Sequence, residues 1–245
     1  MIEVRELRRA FGGVVALDGV SLKIPEGERR AVIGPNGAGK TTLINVLAGE
    51  LPPTGGAVRL GGRDVTGLRS WQRARLGLAH VYQRTELFPP LTARENVALA
   101  VAARRGPYRV FRGPPRSEHA DADAMLARVG LAGREGVLAR ALSHGERRQL
   151  ELAVALAQSP RVLLLDEPTA GMSPVETARI TELIVGLDRA LTILIVEHDM
   201  DVVFRLADRV TVLHEGLVIA DGTPAEVRGD ALVHDVYLGK AVTVA

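Results

Sequence analysis

The chain has 245 residues, and 47% of them are hydrophobic, which is enough to bury the core of one large domain or two small ones. It has no cysteine, no apolar N-terminal stretch typical of a secretion signal and no run near the roughly 18 apolar residues of a membrane-spanning helix, so we expect a soluble chain without disulfide bonds. A formal net charge of +2 and an aromatic content of 3% argue against a nucleic-acid partner, because proteins bind nucleic acids through basic stripes and aromatic platforms.

Residues 1–60 contain short apolar segments that predict β-strands joined by turns. The turns are predicted at Gly12-Gly13 and at Pro25-Glu26-Gly27. The strands are predicted around Val4 and Leu7, at Val14–Leu17, at Val20–Ile24 and at Ala57–Leu60. The last of them is expected to rejoin the sheet of the first ones, which predicts an N-terminal antiparallel β subdomain.

A complete phosphate-binding loop follows the apolar run Arg30–Ile33 and precedes a helical pattern that opens at Thr42. Its glycines allow successive main-chain N–H groups to surround phosphate oxygens, and the helix N-terminus adds partial positive charge. Lys40 supplies a cation for the outer phosphates, and the Thr41 hydroxyl is suited to Mg²⁺. The loop therefore predicts a nucleoside triphosphate site. It consists of Gly34, Pro35, Asn36, Gly37, Ala38, Gly39, Lys40 and Thr41.

The rest of the chain alternates apolar strands with helices. Strands are predicted at Leu76–Tyr82, Arg161–Leu165, Leu191–Val196 and Arg209–Leu213, and a helix carries Ile180, Leu183, Ile184 and Leu187. From Ala93 to about Ala157 the pattern is alanine-rich and helical. We therefore predict an α/β fold with a buried parallel sheet, in which a helical subdomain at about 87–160 is inserted into a single domain of residues 1–245.

Two segments of this insertion leave alternatives open. Arg104–Arg116 is rich in Arg, Pro and Gly and carries Tyr108 and Phe111, so it is either a solvated loop or a contact with a partner or lipid headgroups. Leu87–Leu91 is an apolar stretch close to Gln83, which favours a docking surface for a membrane partner. Packing of that stretch against the inserted helices is the alternative.

Two carboxylates, Asp166 and Glu167, follow the strand predicted to end at Leu165. The carboxyl end of a strand is where an open α/β sheet places its ligands. Asp166 is suited to hold Mg²⁺ directly or through water, and Glu167 to polarise the water that attacks the γ-phosphate. Two solvated acids are the alternative, but the complete phosphate loop upstream favours the catalytic interpretation.

The segment Leu142–Glu146 precedes a helix predicted to run to about Ala157. Ser143 with Glu146 three residues later is the pattern of a capping box. A hydroxyl, Gly145 and free N–H groups at a helix start also make an anion site. Because the chain already has one phosphate loop, a second site is most useful if it binds the γ-phosphate held by another copy.

Together these motifs resemble the nucleotide-binding subunit of an ATP-binding cassette (ABC) transporter over nearly all of the chain. The resemblance implies a P-loop ATPase that uses ATP and Mg²⁺, with Gln83 sensing Mg²⁺ and the attacking water. It implies that His198 contacts the γ-phosphate and that Phe11 stacks on adenine. The implied catalytic residues are Glu167, His198 and Gln83. The implied metal ligands are Thr41, Gln83 and Asp166. The implied nucleotide-binding residues are Phe11, the loop extended to Thr42, and Ser143, Gly145 and Glu146 of the signature segment.

Two departures and one subgroup resemblance refine this interpretation. His144 and Glu146 stand where the signature has Gly and Gln, and Ser173 replaces an acid in the loop that communicates across the dimer. The segment Ala170–Pro174, the run Glu197–Met200 and the C-terminal Tyr237-Leu238-Gly239 resemble ATPases of branched-chain and hydrophobic amino-acid importers. Lipopolysaccharide-export ATPases are close relatives, and Gly145–Arg148 is similar to their sequence.

The resemblance implies a homodimer, or a heterodimer with a paralogous ATPase subunit, that drives membrane permeases at the cytoplasmic face of the inner membrane. A substrate-binding protein would be an indirect partner, and branched-chain or other hydrophobic amino acids the imported substrate. Lipopolysaccharide export and a soluble, non-transport ABC ATPase remain alternatives. A GTP switch is disfavoured, since the sequence has no guanine-reading Asn-Lys-x-Asp.

Overall fold

The computed structural model describes residues 1–105 and 116–238. Its strands form two sheets, one of four strands and one of six. In this part of the chain the strands are β1 (Ile2–Phe11), β2 (Val14–Ile24), β3 (Arg29–Ile33), β4 (Gly55–Leu60), β5 (Arg63–Asp64), β6 (Leu78–Val81), β7 (Val162–Asp166), β8 (Thr192–Val196), β9 (Arg209–His214) and β10 (Leu217–Gly222).

The helices of the described residues mostly begin where the sequence offers a cap. Ser143, Ser173 and Thr223 each precede a helix and form a capping box with a glutamate three residues later. The helices are α1 (Lys40–Ala48), α2 (Ser70–Ala74), α3 (Ala93–Arg105), α4 (Arg116–Arg128), α5 (His144–Ala157), α6 (Pro174–Val185), α7 (Met200–Leu206), α8 (Pro224–Gly229) and α9 (Ala231–Val233), with a 3₁₀ turn at Ala139–Ala141 and a π turn at His234–Leu238.

The N-terminal sheet has the strand order β2-β1-β4-β5 and is antiparallel, as predicted. The expectation of separate strands at Val14–Leu17 and Val20–Ile24 was wrong, because the two segments form one strand, β2. Gly19 lies between them with φ +77°, where the pairing with β1 shifts register from Leu7↔Val20 to Arg8↔Asp18. Glycine adopts this conformation at little cost, so the strand continues through the irregularity.

The six-stranded sheet has the order β10-β9-β3-β8-β7-β6. Its neighbours from β9 to β6 pair in parallel, which confirms the predicted parallel sheet, and β3, β7 and β8 are buried along their whole length. β10 pairs with β9 antiparallel and was not predicted from the sequence. It is only partly buried, and its apolar run ends at Asp221-Gly222.

Alternate residues of the central strands face two separate cores. Leu163, Leu165 and Ile193 pack with the helices α3 to α6. Leu164 and Leu194 pack on the other face, with α1 and the antiparallel sheet. The parallel strands all end at one edge, and the segments that follow β3, β6, β7 and β8 carry the predicted site residues.

In chain order the helices α3, α4 and α5 follow β6 and precede β7, and they contact one another. They occupy the part of the chain in which the helical insertion was predicted, and its boundaries at about 87–160 stay a prediction. Most of the predicted loop Arg104–Arg116, including Tyr108 and Phe111, lies outside the described residues, and so does Gly239. Within the described ranges, no helix combines the length and apolar character needed to cross a membrane.

Candidate nucleotide-binding site

The phosphate-binding loop joins β3 to α1 along a path that only glycine permits at two positions. Gly34 has φ +151° and Gly39 has φ +102°. An added Cβ would lie 2.1 Å from the Leu213 carbonyl oxygen at Gly34, and 2.4 Å from the Ala16 carbonyl oxygen at Gly39. Any side chain there would clash with main chain, so these glycines fix the tight path of the loop that we expect to surround a phosphate.

The loop and the predicted base line one pocket. Its lining residues are Ala16, Asn36, Gly37, Ala38, Gly39, Lys40, Thr41, Thr42 and Glu167. Ala16, on β2, was missed by the sequence analysis. Its carbonyl group lies against both Gly39 and Gly216, where an added Cβ would approach it to 2.4 Å and 2.9 Å. Gly39 and Gly216 are distant in sequence, and nothing in the sequence indicates that both contact Ala16.

Lys40 is buried, and its ammonium group is held by the loop itself. Its Nζ donates to the carbonyl oxygens of Gly34, at 2.7 Å, and Pro35, at 3.0 Å. Burial lowers the pKa of Lys40, while the nearby carboxylates of Glu167 and Asp166 act in the opposite direction. The cation is thus positioned inside the loop before any phosphate arrives.

Asp166 is the last residue of β7 and is almost fully buried. Its Oδ1 atom has no hydrogen-bond partner among the described residues. Burial raises the pKa of Asp166, chiefly through loss of solvation, although His80 and Arg148 favour its ionised form. A buried carboxylate oxygen left without a partner suits a cation ligand, so the residues present fit Mg²⁺.

Glu167 and Gln83 contact each other directly. The Gln83 amide nitrogen donates to Glu167 Oε2 at 2.7 Å, although the two residues lie 84 positions apart in sequence. Glu167 has φ +46°, a conformation uncommon for a residue with a side chain. This backbone turns the carboxylate out of the strand direction and into the pocket lined by the phosphate loop.

Ser143, Gly145 and Glu146 line a different small pocket, together with residues of α6. Ser143 Oγ accepts the Glu146 N–H at 3.2 Å, and Glu146 Oε2 accepts the Ser143 N–H at 2.9 Å, so the predicted capping box is present. A hydroxyl that accepts one bond still has a proton to donate. The Glu176 carboxylate lies beside this segment, since an added Cβ at Gly145 would approach its Oε1 to 2.8 Å. The pKa of Glu176 is lowered mainly by hydrogen bonds from Ser173 and also by the Gly145 N–H.

His198 follows β8 on an exposed segment, with 60% of its side chain exposed. The preceding Glu197 is fully buried, and the sequence had given it no role beyond the subgroup resemblance of the run Glu197–Met200. Glu197 accepts the His198 N–H at 2.9 Å and, through its other oxygen, the N–H of Thr169 at 3.2 Å and the Thr169 hydroxyl. A buried carboxylate therefore ties His198 to the segment after Glu167.

Phe11 ends β1 and is 44% exposed. The Arg9 guanidinium lies 4.5 Å from the centre of its ring. One face of the ring is therefore already covered by a cation, which leaves the other for stacking. Neither Phe11 nor His198 is among the residues that line the loop pocket.

A parallel sheet whose carboxyl edge carries a phosphate loop, a buried aspartate and an adjacent glutamate defines a P-loop nucleoside triphosphatase. Comparison with known proteins narrows the class. Residues 17–170 match the family model described as ABC transporter, and residues 218–243 match the model described as branched-chain amino acid ATP-binding cassette transporter.

Several relatives match almost the full chain. The high-affinity branched-chain amino acid transport ATP-binding protein BraF of Pseudomonas aeruginosa is 39% identical, and LivG of Escherichia coli, of the same description, is 37% identical, each over 98% of both chains. The lipopolysaccharide export system ATP-binding protein LptB of Acidithiobacillus ferridurans is 35% identical over 98% of this chain and 97% of its own.

Solved structures agree with these relatives. The ADP conformation of the ATP-binding cassette MJ1267 superimposes with a TM-score of 0.85 at 28% identity, covering 98% of both chains. A dimeric post-hydrolysis state of the cassette MJ0796 bound to ADP and Pi gives 0.78 at 26% identity, covering 91% of this chain and 99% of that one. The chain belongs to the ATP-binding cassette family of ABC transporters and is an ATPase subunit.

Proposed function

We propose that the chain hydrolyses Mg-ATP in the pocket between its phosphate loop and Glu167, as the motor of an importer for branched-chain or other hydrophobic amino acids. The observation that carries the catalytic part is the Gln83–Glu167 hydrogen bond at the rim of that pocket. It brings the predicted water-sensing amide and the predicted base to one point beside the phosphate loop.

Each predicted site residue has a distinct role in this proposal. The main-chain N–H groups of residues 34–42 bind the triphosphate, and Lys40 exchanges its two loop carbonyls for β- and γ-phosphate oxygens. Glu167 orients the attacking water and accepts its proton, while Gln83 fixes the carboxylate. His198 contacts the γ-phosphate, and Phe11 stacks on adenine.

Thr41, Asp166 and Gln83 are the residues that would hold Mg²⁺. The orphaned Oδ1 of Asp166 supports this assignment, since a buried acceptor without a donor is otherwise destabilising. When bound, Mg²⁺ would neutralise the charge that builds up on the phosphate oxygens. The protein's own side chains supply the other two functions. Lys40 moves from its loop carbonyl groups to the phosphate oxygens, and Glu167 orients the water.

The proposal includes a head-to-tail dimer in which Ser143, Gly145 and Glu146 of one chain meet the γ-phosphate bound by another. Its support is that these residues line a separate pocket from the phosphate loop of their own chain. The partner is a second copy or a paralogous ATPase subunit. Membrane permeases at the cytoplasmic face of the inner membrane, and indirectly a substrate-binding protein, complete the system.

The substrate is proposed from the relatives and from the match over residues 218–243. Deletion of the gene should reduce radiolabelled leucine uptake, and complementation with the unchanged gene should restore it. Complementation with the Glu167→Gln variant is the control, because it supplies the protein without the proposed base. Unchanged uptake together with an outer-membrane lipid defect would favour lipopolysaccharide export instead, for which the similarity to LptB provides a basis.

A further inference from the structure

Arg148 is a buried arginine whose guanidinium group donates hydrogen bonds to the main-chain carbonyl groups around Glu167. It lies in α5 and is 7% exposed. Its Nε donates to the Pro168 carbonyl oxygen at 2.9 Å, and its Nη2 donates to those of Asp166 at 3.0 Å and Glu167 at 2.7 Å. Three consecutive carbonyl groups therefore converge on one planar cation.

The same guanidinium also holds the segment that carries Gln83. Arg148 Nη1 donates to the Tyr82 carbonyl oxygen at 2.6 Å and to Glu151 Oε2 at 2.7 Å. Glu151 compensates the buried positive charge, and the planar fork of donors explains why an arginine can serve so many acceptors. Both members of the Gln83–Glu167 pair thus have their backbone fixed by one side chain.

The conformation of Glu167 explains why such a contact matters for catalysis. Its φ of +46° is sparsely populated for residues with a side chain, and such a conformation persists only where the surroundings over-determine it. Arg148 provides the bonds to the peptide groups on both sides of this residue. Without them, the backbone of Glu167 can relax and redirect its carboxylate while the rest of the sheet stays intact.

We infer that Arg148 is a positioning residue for ATP hydrolysis, which sets the direction of the Glu167 carboxylate and the Gln83 amide. The inference rests on the proposed roles of those two residues. It has a further consequence, because α5 begins at the segment proposed to meet the partner's nucleotide. Arg148 then links the helix that contacts one nucleotide to the residues that act on the other.

The chain offers a matched control for the loss of a buried guanidinium. Arg29 is also buried and donates to main-chain carbonyls, those of Val185 and Leu187, but it lies at the amino end of β3, away from the carboxyl edge. Arg29→Met and Arg148→Met each remove a buried guanidinium from main-chain carbonyl groups, and Arg148→Met in addition leaves Glu151 without its cation. Both should lower Tm, and only Arg148→Met should impair the chemical step.

The test compares steady-state ATPase kinetics and ATP affinity at a temperature at which all variants are folded. Arg148→Met should lower kcat on the order of 100-fold, the effect of a displacement of about 1 Å at a catalytic group. Its KM and its Kd for ATP should stay within about threefold of the unchanged protein, because the phosphate loop is untouched. Arg148→Lys should recover part of kcat, since it keeps the charge but not the planar fork.

The outcomes separate this inference from the proposed function. A kcat reduced no more by Arg148→Met than by Arg29→Met contradicts the inference, and so does a Kd for ATP that weakens in parallel with kcat. Wild-type turnover in Glu167→Gln would instead sink the proposed base. If Arg148→Met does not fold, Arg148→Lys decides: unchanged kcat contradicts the inference, and a loss of about tenfold at unchanged ATP affinity supports it.

Discussion

At the scale of single residues, Asp166 has a buried carboxylate, one oxygen of which has no donor among the described residues. Burial raises its pKa above the ordinary value, so the folded protein takes up a proton there more readily than the unfolded chain. The contribution of Asp166 to stability is therefore fully present below the ordinary carboxyl pKa and is lost as the pH rises through the raised pKa.

We predict that Asp166→Asn stabilises the protein in the absence of nucleotide and metal at pH 7. The variant removes a destabilising buried charge, and a rise in Tm of roughly 2–4 °C corresponds to about 1 kcal/mol in a domain of this size. The gain should shrink as the pH is lowered toward the ordinary carboxyl pKa, where Asp166 becomes protonated. Differential scanning calorimetry from pH 8 down to pH 4, close to the ordinary carboxyl pKa of about 3.9, measures it.

ATP with Mg²⁺ should stabilise the unchanged protein more than ATP alone, because a ligand stabilises the folded state that it binds. Asp166→Asn should lose this difference. Asp18→Asn is the control: Asp18 is exposed and its nearest cation, Arg8, lies 3.6 Å away, so its removal should change stability by less than about 0.5 kcal/mol. A lower Tm for Asp166→Asn at pH 7 without metal would contradict a destabilising buried charge. An unchanged response to Mg-ATP would contradict the assignment of Asp166 as a metal ligand.

At the scale of elements, the start of α5 serves two purposes. Ser143 caps the helix, and its hydroxyl is proposed to meet the partner's γ-phosphate. Ser143→Arg should leave ATP binding to the monomer unchanged and abolish the ATP-dependent dimer, because the bulky cation fills the helix-start pocket. Fluorescent-ATP titration measures the first quantity and size-exclusion chromatography of the variant in a Glu167→Gln background the second.

Ser143→Ala distinguishes the loss of the helix cap from the obstruction of the pocket by a large side chain. It removes the same capping oxygen, which costs about 1 kcal/mol of helix stability, but adds no obstruction. It should therefore lose stability like Ser143→Arg and still dimerise at high ATP concentration. If both variants lost nucleotide binding in the monomer, Ser143 would belong to the local fold and not to a site for the partner.

The elements also show what the sequence could predict. The start of α5 was predicted correctly, because a capping box is local in sequence. The strands β3, β7 and β8 were predicted because buried parallel strands are continuously apolar. The contacts of Arg148 were not predictable, since its carbonyl partners lie 18 to 66 positions away and a carbonyl group carries no residue identity. The burial of Glu197 was not predicted for a similar reason, because it depends on tertiary packing.

At the scale of the whole molecule, Phe88 marks the surface proposed to receive a permease. Its backbone is fixed by Asn96, which accepts its N–H at 2.8 Å and donates to its carbonyl oxygen at 3.2 Å, while the residue as a whole is 58% exposed. The neighbouring Leu87 packs against the core instead, so the packing alternative holds for Leu87, and docking at the exposed Phe88 stays a proposal.

Phe88→Asp should uncouple transport from ATP hydrolysis. Leucine uptake should fall at least about tenfold, because a charge on the docking surface opposes burial against a membrane partner. The ATPase activity of the isolated protein should stay within about twofold of the unchanged protein, because the site near Glu167 is not altered. Leu217→Asp is the control, because Leu217 is similarly exposed on β10, away from this stretch. Equal loss of uptake in both variants would contradict a specific docking role for Phe88.

One variant tests the proposed dimer together with the proposed catalytic base. Glu167→Gln keeps the phosphate loop and the helix-start pocket but has an amide that cannot accept a proton from water. Its mass should be measured by size-exclusion chromatography with light scattering, with and without Mg-ATP. We expect twice the mass of one chain when Mg-ATP is present, one chain when it is absent, and no phosphate release. A single chain under both conditions that still hydrolyses ATP at the rate of the unchanged protein would contradict the base and the shared site alike.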